Sequence, residues 1–202
     1  MQQNYQDAMA LVREFGFPDY FITMTANPAW PEVTAQLRGH ETAADRFDIV
    51  SRVFKQKLDE LLRDLTQRGV LGQAVAYTYV VEFQKRGLPH AHILVIVRPE
   101  DKPRSTAAID AVVCAELPDR DDHPELWSAV TAHMFHGPCG VARADAPCME
   151  DGVCKKHYPK PFAEATTRPE DGYPIYRRRD DGRYFDKGGH RFDNRHVVPY
   201  NP

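Results

Sequence analysis

The chain has 202 residues, 42% of them hydrophobic, and a formal net charge of -3. That is enough apolar content for one sizeable core with a small appended module, without the global basic excess that marks many nucleic-acid binders. No apolar run approaches the roughly 20 residues that cross a bilayer, and the polar start Met1 to Asp7 is unlike a signal peptide, so an intracellular protein without a membrane partner is expected.

The first element is a helix over residues 4–15, with Ala8, Leu11, Val12 and Phe15 at helical spacing and Gly16 and Pro18 as the stop. Tyr20 to Thr25 is apolar and β-branched and reads as a strand, ended by the turn pair Asn27-Pro28. Residues 45–68 carry Phe47, Val50, Val53, Phe54, Leu58, Leu61, Leu62 and Leu65 at three- and four-residue intervals, closed by Gly69, and predict the longest helix. Val75–Phe83 and His90–Val97 are β-rich runs joined across Gly87-Leu88-Pro89, an antiparallel pair. Leu126, Trp127, Val130 and Met134 predict a helix from about 125 to 135. Beyond Gly137 the chain is rich in Gly, Pro, Cys and charge, so regular structure is sparse, apart from a hairpin over 173–185 centred on Asp180-Asp181-Gly182. The expectation is an α+β fold. An antiparallel central sheet with flanking helices occupies residues 1–135, and an irregular Cys/His-rich region with a basic hairpin occupies 136–202.

On an extended strand, residues two apart share a face, so His90 and His92 present two imidazoles side by side. Glu82, on the strand paired with them, supplies a carboxylate. Two imidazoles and a carboxylate leave coordination positions open for water or a phosphate oxygen. Such a set suits Mg²⁺ or Mn²⁺ acting as a Lewis acid on a phosphodiester, although imidazole alone also accepts zinc. Lys85 and Arg86 place positive charge beside it, where a phosphate backbone would be held.

His133, His136, Cys139, Cys148, Cys154 and His157 form a second constellation. They crowd a stretch too poor in apolar residues to pack alone, and zinc would supply the missing constraint. Three thiolates and one imidazole are expected, with His157 ahead of His136 as the fourth ligand. In an intracellular chain this is a better use of the cysteines than a disulfide framework. Cys114 lies apart, as a small buried residue.

Glu82-Phe83-Gln84-Lys85-Arg86-Gly87-Leu88-Pro89-His90-Ala91-His92 resembles the second Rep motif of Helitron transposases, members of the HUH endonuclease superfamily. Phe21-Ile22-Thr23-Met24-Thr25-Ala26-Asn27-Pro28-Ala29-Trp30-Pro31-Glu32 is similar to that family's first motif. Residues 3–9, 136–140 and 197–202 match the Helitron helicase-like domain in the same order. The resemblance implies rolling-circle chemistry. His90, His92 and Glu82 would hold a divalent ion that polarises the scissile phosphate of single-stranded DNA at transposon ends, and a tyrosine would attack to leave a 5′-phosphotyrosine and a free 3′-hydroxyl. It also implies a sheet of about five strands with the histidine pair at its centre, a helicase on the same polypeptide, and a nuclear location. The family's Tyr-Leu-x-Lys-Tyr nucleophile pattern does not occur in these 202 residues. Metal and single-stranded DNA binding without efficient cleavage is therefore expected of this chain alone. The alternative is a decayed or domesticated zinc-containing DNA-binding module.

Arg177-Arg178-Arg179, close to Tyr173, Tyr176 and Tyr184, combines phosphate-neutralising charge with stacking surface, the two ingredients of single-strand binding. Lys155, Lys156 and Lys160 form a second basic patch.

Overall fold

In a computed structural model, residues 2–83, 87–169 and 172–202 are described, the side chains of 2–5 excepted. The chain divides into two compact units, 1–102 and 103–202. The division falls after Lys102 rather than at 135, so the helix expected near 125 belongs to the second unit.

The first unit runs α1 (Gln2–Phe15), β1 (Tyr20–Thr25), α2 (Pro31–Thr34), α3 (Phe47–Thr66), β2 (Ala74–Phe83) and β3 (Pro89–Val97). Five of these follow the hydrophobic periodicity closely; α2, a single turn after Trp30, carries no periodic signal. The buried residues of α3 are Val50, Phe54, Leu58, Leu62 and Leu65, a stripe at three- and four-residue spacing. Burying side chains of this size contributes roughly 1.5–3 kcal/mol each. Pairs Lys55–Asp59, Glu60–Arg63 and Asp64–Arg68 line the exposed side. Gly69, at φ 66°, lets the Val70 N–H return to the Asp64 carbonyl and closes the helix.

The sheet of this unit is antiparallel in the order β1-β3-β2. The resemblance implied about five strands; three form this sheet among the described residues. β3 is central, and its alternation buries Ala91, Ile93, Val95 and Val97 while His90 and His92 lie half-buried on the other side. α3 packs against β3. Tyr77 and Tyr79 of the edge strand β2 are 44% and 38% exposed. Asp19 ties the end of the unit together, accepting from the Val97 N–H at 3.0 Å and from Lys102 Nζ at 2.9 Å.

The second unit holds α4 (Thr106–Val112) and α5 (Pro124–His133), the two-residue strands β4 (Met149–Glu150) and β5 (Val153–Cys154), and the hairpin β6 (Tyr184–Lys187) and β7 (His190–Asp193). Its core gathers Leu117, Val130, Val197 and Tyr200, flanked by Leu126, Trp127, Met134 and Phe185. The late hairpin thus lies about ten residues downstream of the expected one. Gly188 and Gly189 both adopt positive φ, 60° and 77°, as a two-residue primed turn demands. At Asp181-Gly182 only the glycine does.

The rest of the unit is irregular and is held by side chains. Asn194, 1% exposed, accepts from the Leu117 N–H at 2.7 Å and donates to the Arg179 carbonyl at 2.8 Å. Buried Arg178 donates to the carbonyls of Ala115, Asn194 and Val197. Tyr200 pairs through its backbone with Cys114 and donates its hydroxyl to the Glu116 carbonyl. These bonds replace the ladders that a regular sheet would supply.

Candidate metal centres

The register of β1 on β3 sets Thr23 opposite His92 and Thr25 opposite His90. Directly paired residues share a face, so each imidazole meets a threonine hydroxyl. Thr25 Oγ1 lies 2.6 Å from His90 Nδ1, and Thr23 Oγ1 lies 3.1 Å from His92 Nδ1. The two rings stand edge to face with centroids 4.5 Å apart, and Phe21 stacks on His92 at 5.3 Å and 13°. In the tautomer where Nδ1–H donates to the hydroxyl, the lone pair resides on Nε2. A hydrogen bond on one ring nitrogen is the usual device for orienting the other toward a metal.

Glu82 is opposite His90 on β2 and is exposed. It shares their face, yet among the described residues it is not drawn with the two imidazoles into a compact three-donor cluster. Lys85 and Arg86, expected to hold phosphate here, lie outside the described residues.

A compact donor cluster does form in the second unit. His136, Cys139, Cys148 and Cys154 bring their ligand atoms within 4.8 Å of one another. The imidazole is the one expected as the alternative: His157, preferred by its spacing from Cys154, is exposed with φ 55°. The correction has a local cause. The β4-β5 hairpin turns on Asp151 and Gly152, both at positive φ, and carries Cys148 and Cys154 on its two arms, with the Lys155 N–H closing on the Cys148 carbonyl at 2.8 Å. His136 is fixed by its own backbone bond to the His196 carbonyl and by stacking on Tyr158 at 4.4 Å, which leaves its Nε2 3.3 Å from Cys154 Sγ.

Burial pushes the Cys139 thiol up to about 12, helped by the neighbouring Cys154 and Cys148. Burial also acts to raise Cys154, but the backbone groups of Tyr158 and Lys156 and the thiols of Cys148 and Cys139 outweigh it and hold this group below its ordinary value. Burial lowers His136, and the positive charge of His196, Lys156 and Lys160 adds to the effect. The neutral imidazole can take a cation as it stands, whereas the thiols must release their protons on binding. In a tetrahedral zinc site, sulfur atoms about 2.3 Å from the ion lie about 3.8 Å apart, so the cluster needs only slight contraction. The donor set can hold a metal such as zinc.

The triple arginine has partners within its own unit. Arg178 is 5% exposed and saturated by carbonyls. Arg177 and Arg179 converge on Glu116, itself 4% exposed, through contacts of 2.7 Å from Arg179 Nη2 and 3.3 Å from Arg177 Nε. Arg177 Nη1 also lies 3.8 Å from Asp110 Oδ2, so two carboxylates of the same unit face these two guanidiniums, which stay 36% and 44% exposed. Tyr173 and Tyr184 are exposed, whereas Tyr176 is half-buried.

Sequence reasoning missed Thr23 and Thr25 as imidazole partners, and Glu116 as the carboxylate behind the arginines. The Thr-x-Thr spacing of β1 facing His-x-His was the available signal, readable once β1 is paired with β3.

Among the described residues, no helix is long and apolar enough to cross a membrane. Residues 1–95 match the family model described as the Helitron helicase-like domain at the N-terminus, a span that includes both histidines of β3. No curated protein matches the chain.

Proposed function

With a Helitron helicase-like domain over residues 1–95 as the premise, we propose that the first unit is the metal-holding half of a Rep-type nicking site acting on single-stranded DNA. The observation that carries this reading is the side-by-side placement of His90 and His92, each with Nδ1 engaged by a β1 threonine. His90 and His92 hold the ion through Nε2, and Glu82 swings in as the carboxylate ligand, its strand position already opposite His90. Mg²⁺ or Mn²⁺ bound there supplies Lewis-acid polarisation of a phosphodiester. Lys85 and Arg86 serve the phosphate backbone. The attacking tyrosine would give a 5′-phosphotyrosine, but the Tyr-Leu-x-Lys-Tyr pattern is absent from the 202 residues, and Tyr200 is buried in a core. This chain therefore binds metal and single strands without efficient cleavage. Transposon ends as the DNA, a helicase on the same polypeptide and a nuclear site of action complete the reading.

The second unit carries structural zinc on His136, Cys139, Cys148 and Cys154. Four protein ligands close the coordination sphere, the mark of a structural rather than a catalytic zinc site.

The test combines metal and DNA measurements on the full chain. Mn²⁺ should strengthen binding of a single-stranded oligonucleotide, and His90→Ala with His92→Ala should abolish that dependence while leaving zinc content at about one ion per chain. His136→Ala should lose zinc and His157→Ala should retain it. Rapid nicking with a covalent protein-DNA product would refute the incompleteness of the site, and an unchanged Mn²⁺ effect in the double alanine variant would refute the site itself.

A further inference from the structure

The register places Phe21, Thr23 and Thr25 of β1, His90 and His92 of β3, and Val80 of β2 on one face of the sheet. None of the six is buried. Phe21 is 65% exposed and Val80 42% exposed. An aromatic ring stacked on a candidate metal ligand and still two-thirds open to solvent is not there to fill a core. One face of Phe21 meets the His92 imidazole at 5.3 Å and 13°, and its exposure leaves the ring accessible to a second planar group.

We propose that Phe21 is a base-stacking platform. The open sheet face is the track of the single strand, and Phe21 stacks the base next to the phosphate that His90 and His92 address. This rests on the reading of that pair as phosphate-side metal ligands. Single strands expose the π-faces that duplexes conceal, and an aromatic residue on an open sheet is a recurrent way to hold them. Every base has such a face, so the contact fixes position along the strand without selecting a sequence. With the base clamped, the adjoining phosphate cannot slide past the two imidazoles. Phe21 thereby acts as a positioning residue for the metal-bound group.

The experiment uses the full chain and a single-stranded oligonucleotide of about a dozen nucleotides, within the usual footprint of such proteins. 5-Iodouracil is substituted at each position in turn, and Mn²⁺ uptake is followed separately through loss of the free-ion electron paramagnetic resonance signal. Phe21→Leu should weaken oligonucleotide binding roughly five- to a hundredfold, with Mn²⁺ uptake unchanged. Phe21→Trp should restore binding. Photocrosslinks from one position of the strand should map to Phe21. Unchanged affinity in Phe21→Leu would overturn the platform, as would crosslinks confined to the second unit. Loss of Mn²⁺ uptake in Phe21→Leu would reduce the residue to a prop for His92 and overturn it too. The parent reading fails on a different measurement, Mn²⁺ uptake that survives His90→Ala and His92→Ala.

Discussion

Replacing Glu116 by glutamine removes one negative charge and changes almost no volume, so it isolates the role of the carboxylate in the second unit. Glu116 accepts from the Arg179 backbone N–H at 2.8 Å, from Arg179 Nε at 2.9 Å and Nη2 at 2.7 Å, and from Arg177 Nε at 3.3 Å. Breaking a buried ion pair by removing one partner costs about 3–5 kcal/mol. The arginine side chains are 36% and 44% exposed and recover hydration when released, which brings the expected loss down to about 2–3 kcal/mol. Burial acts to raise the Glu116 carboxyl, but Arg179 and Arg177 outweigh it and hold it below the ordinary carboxylate value. A group depressed on folding contributes stability that is present above its unfolded pKa and is lost as pH falls through the native one. The wild-type advantage over Glu116→Gln should therefore be constant near neutrality and should shrink below pH 4.5. Urea unfolding of the full chain, followed by tryptophan fluorescence across that range, measures both effects. A loss under about 0.5 kcal/mol, the scale of a neutral surface change, would refute the account, the more so if DNA affinity and its salt slope changed, since that would return the arginines to phosphate.

Two further outcomes follow from close contacts. Thr23→Val with Thr25→Val keeps the β-branched strand residues but removes both hydroxyls from the imidazoles; Mn²⁺ affinity by calorimetry should fall about 10- to 100-fold with thermal stability little altered, and unchanged affinity would separate the threonines from the metal. Gly137 has φ 134°, and a Cβ there would lie 2.8 Å from Phe192 Cε1; Gly137→Ala should destabilise the second unit by roughly 1–3 kcal/mol and, because it adjoins His136, lower zinc content as read by mass spectrometry.

Legibility in the sequence followed the kind of force involved. α3 and β3 rest on burial at a fixed period, so Leu58, Ile93 and their neighbours announce them. The His-x-His pair was readable because strand geometry alone puts His90 and His92 on one face. Its threonine partners depend on a strand 69 residues away for His92, and nothing local reveals that pairing. In the second unit, Asn194, Arg178 and Glu116 perform the role that apolar periodicity performs in the first. A polar residue has no period, so nothing in the sequence announced that Arg177 to Arg179 also brace the unit from within. The imidazole beside the three thiols is also not the one that spacing favoured. Sequence proximity favoured His157, whereas the backbone bond of His136 to His196 decides which ring arrives.

The threonine hydroxyls behind His90 and His92 bear on how firmly an ion would reside between them. A carboxylate behind an imidazole makes the ring a stronger base and a tighter ligand. A neutral hydroxyl orients the ring without enriching it. On the proposed reading, the ion would be in rapid exchange with bulk water until a phosphate oxygen completes its coordination. Nucleic acid and metal would then arrive as one mutually dependent load, and the protein without DNA would stand ready but unarmed.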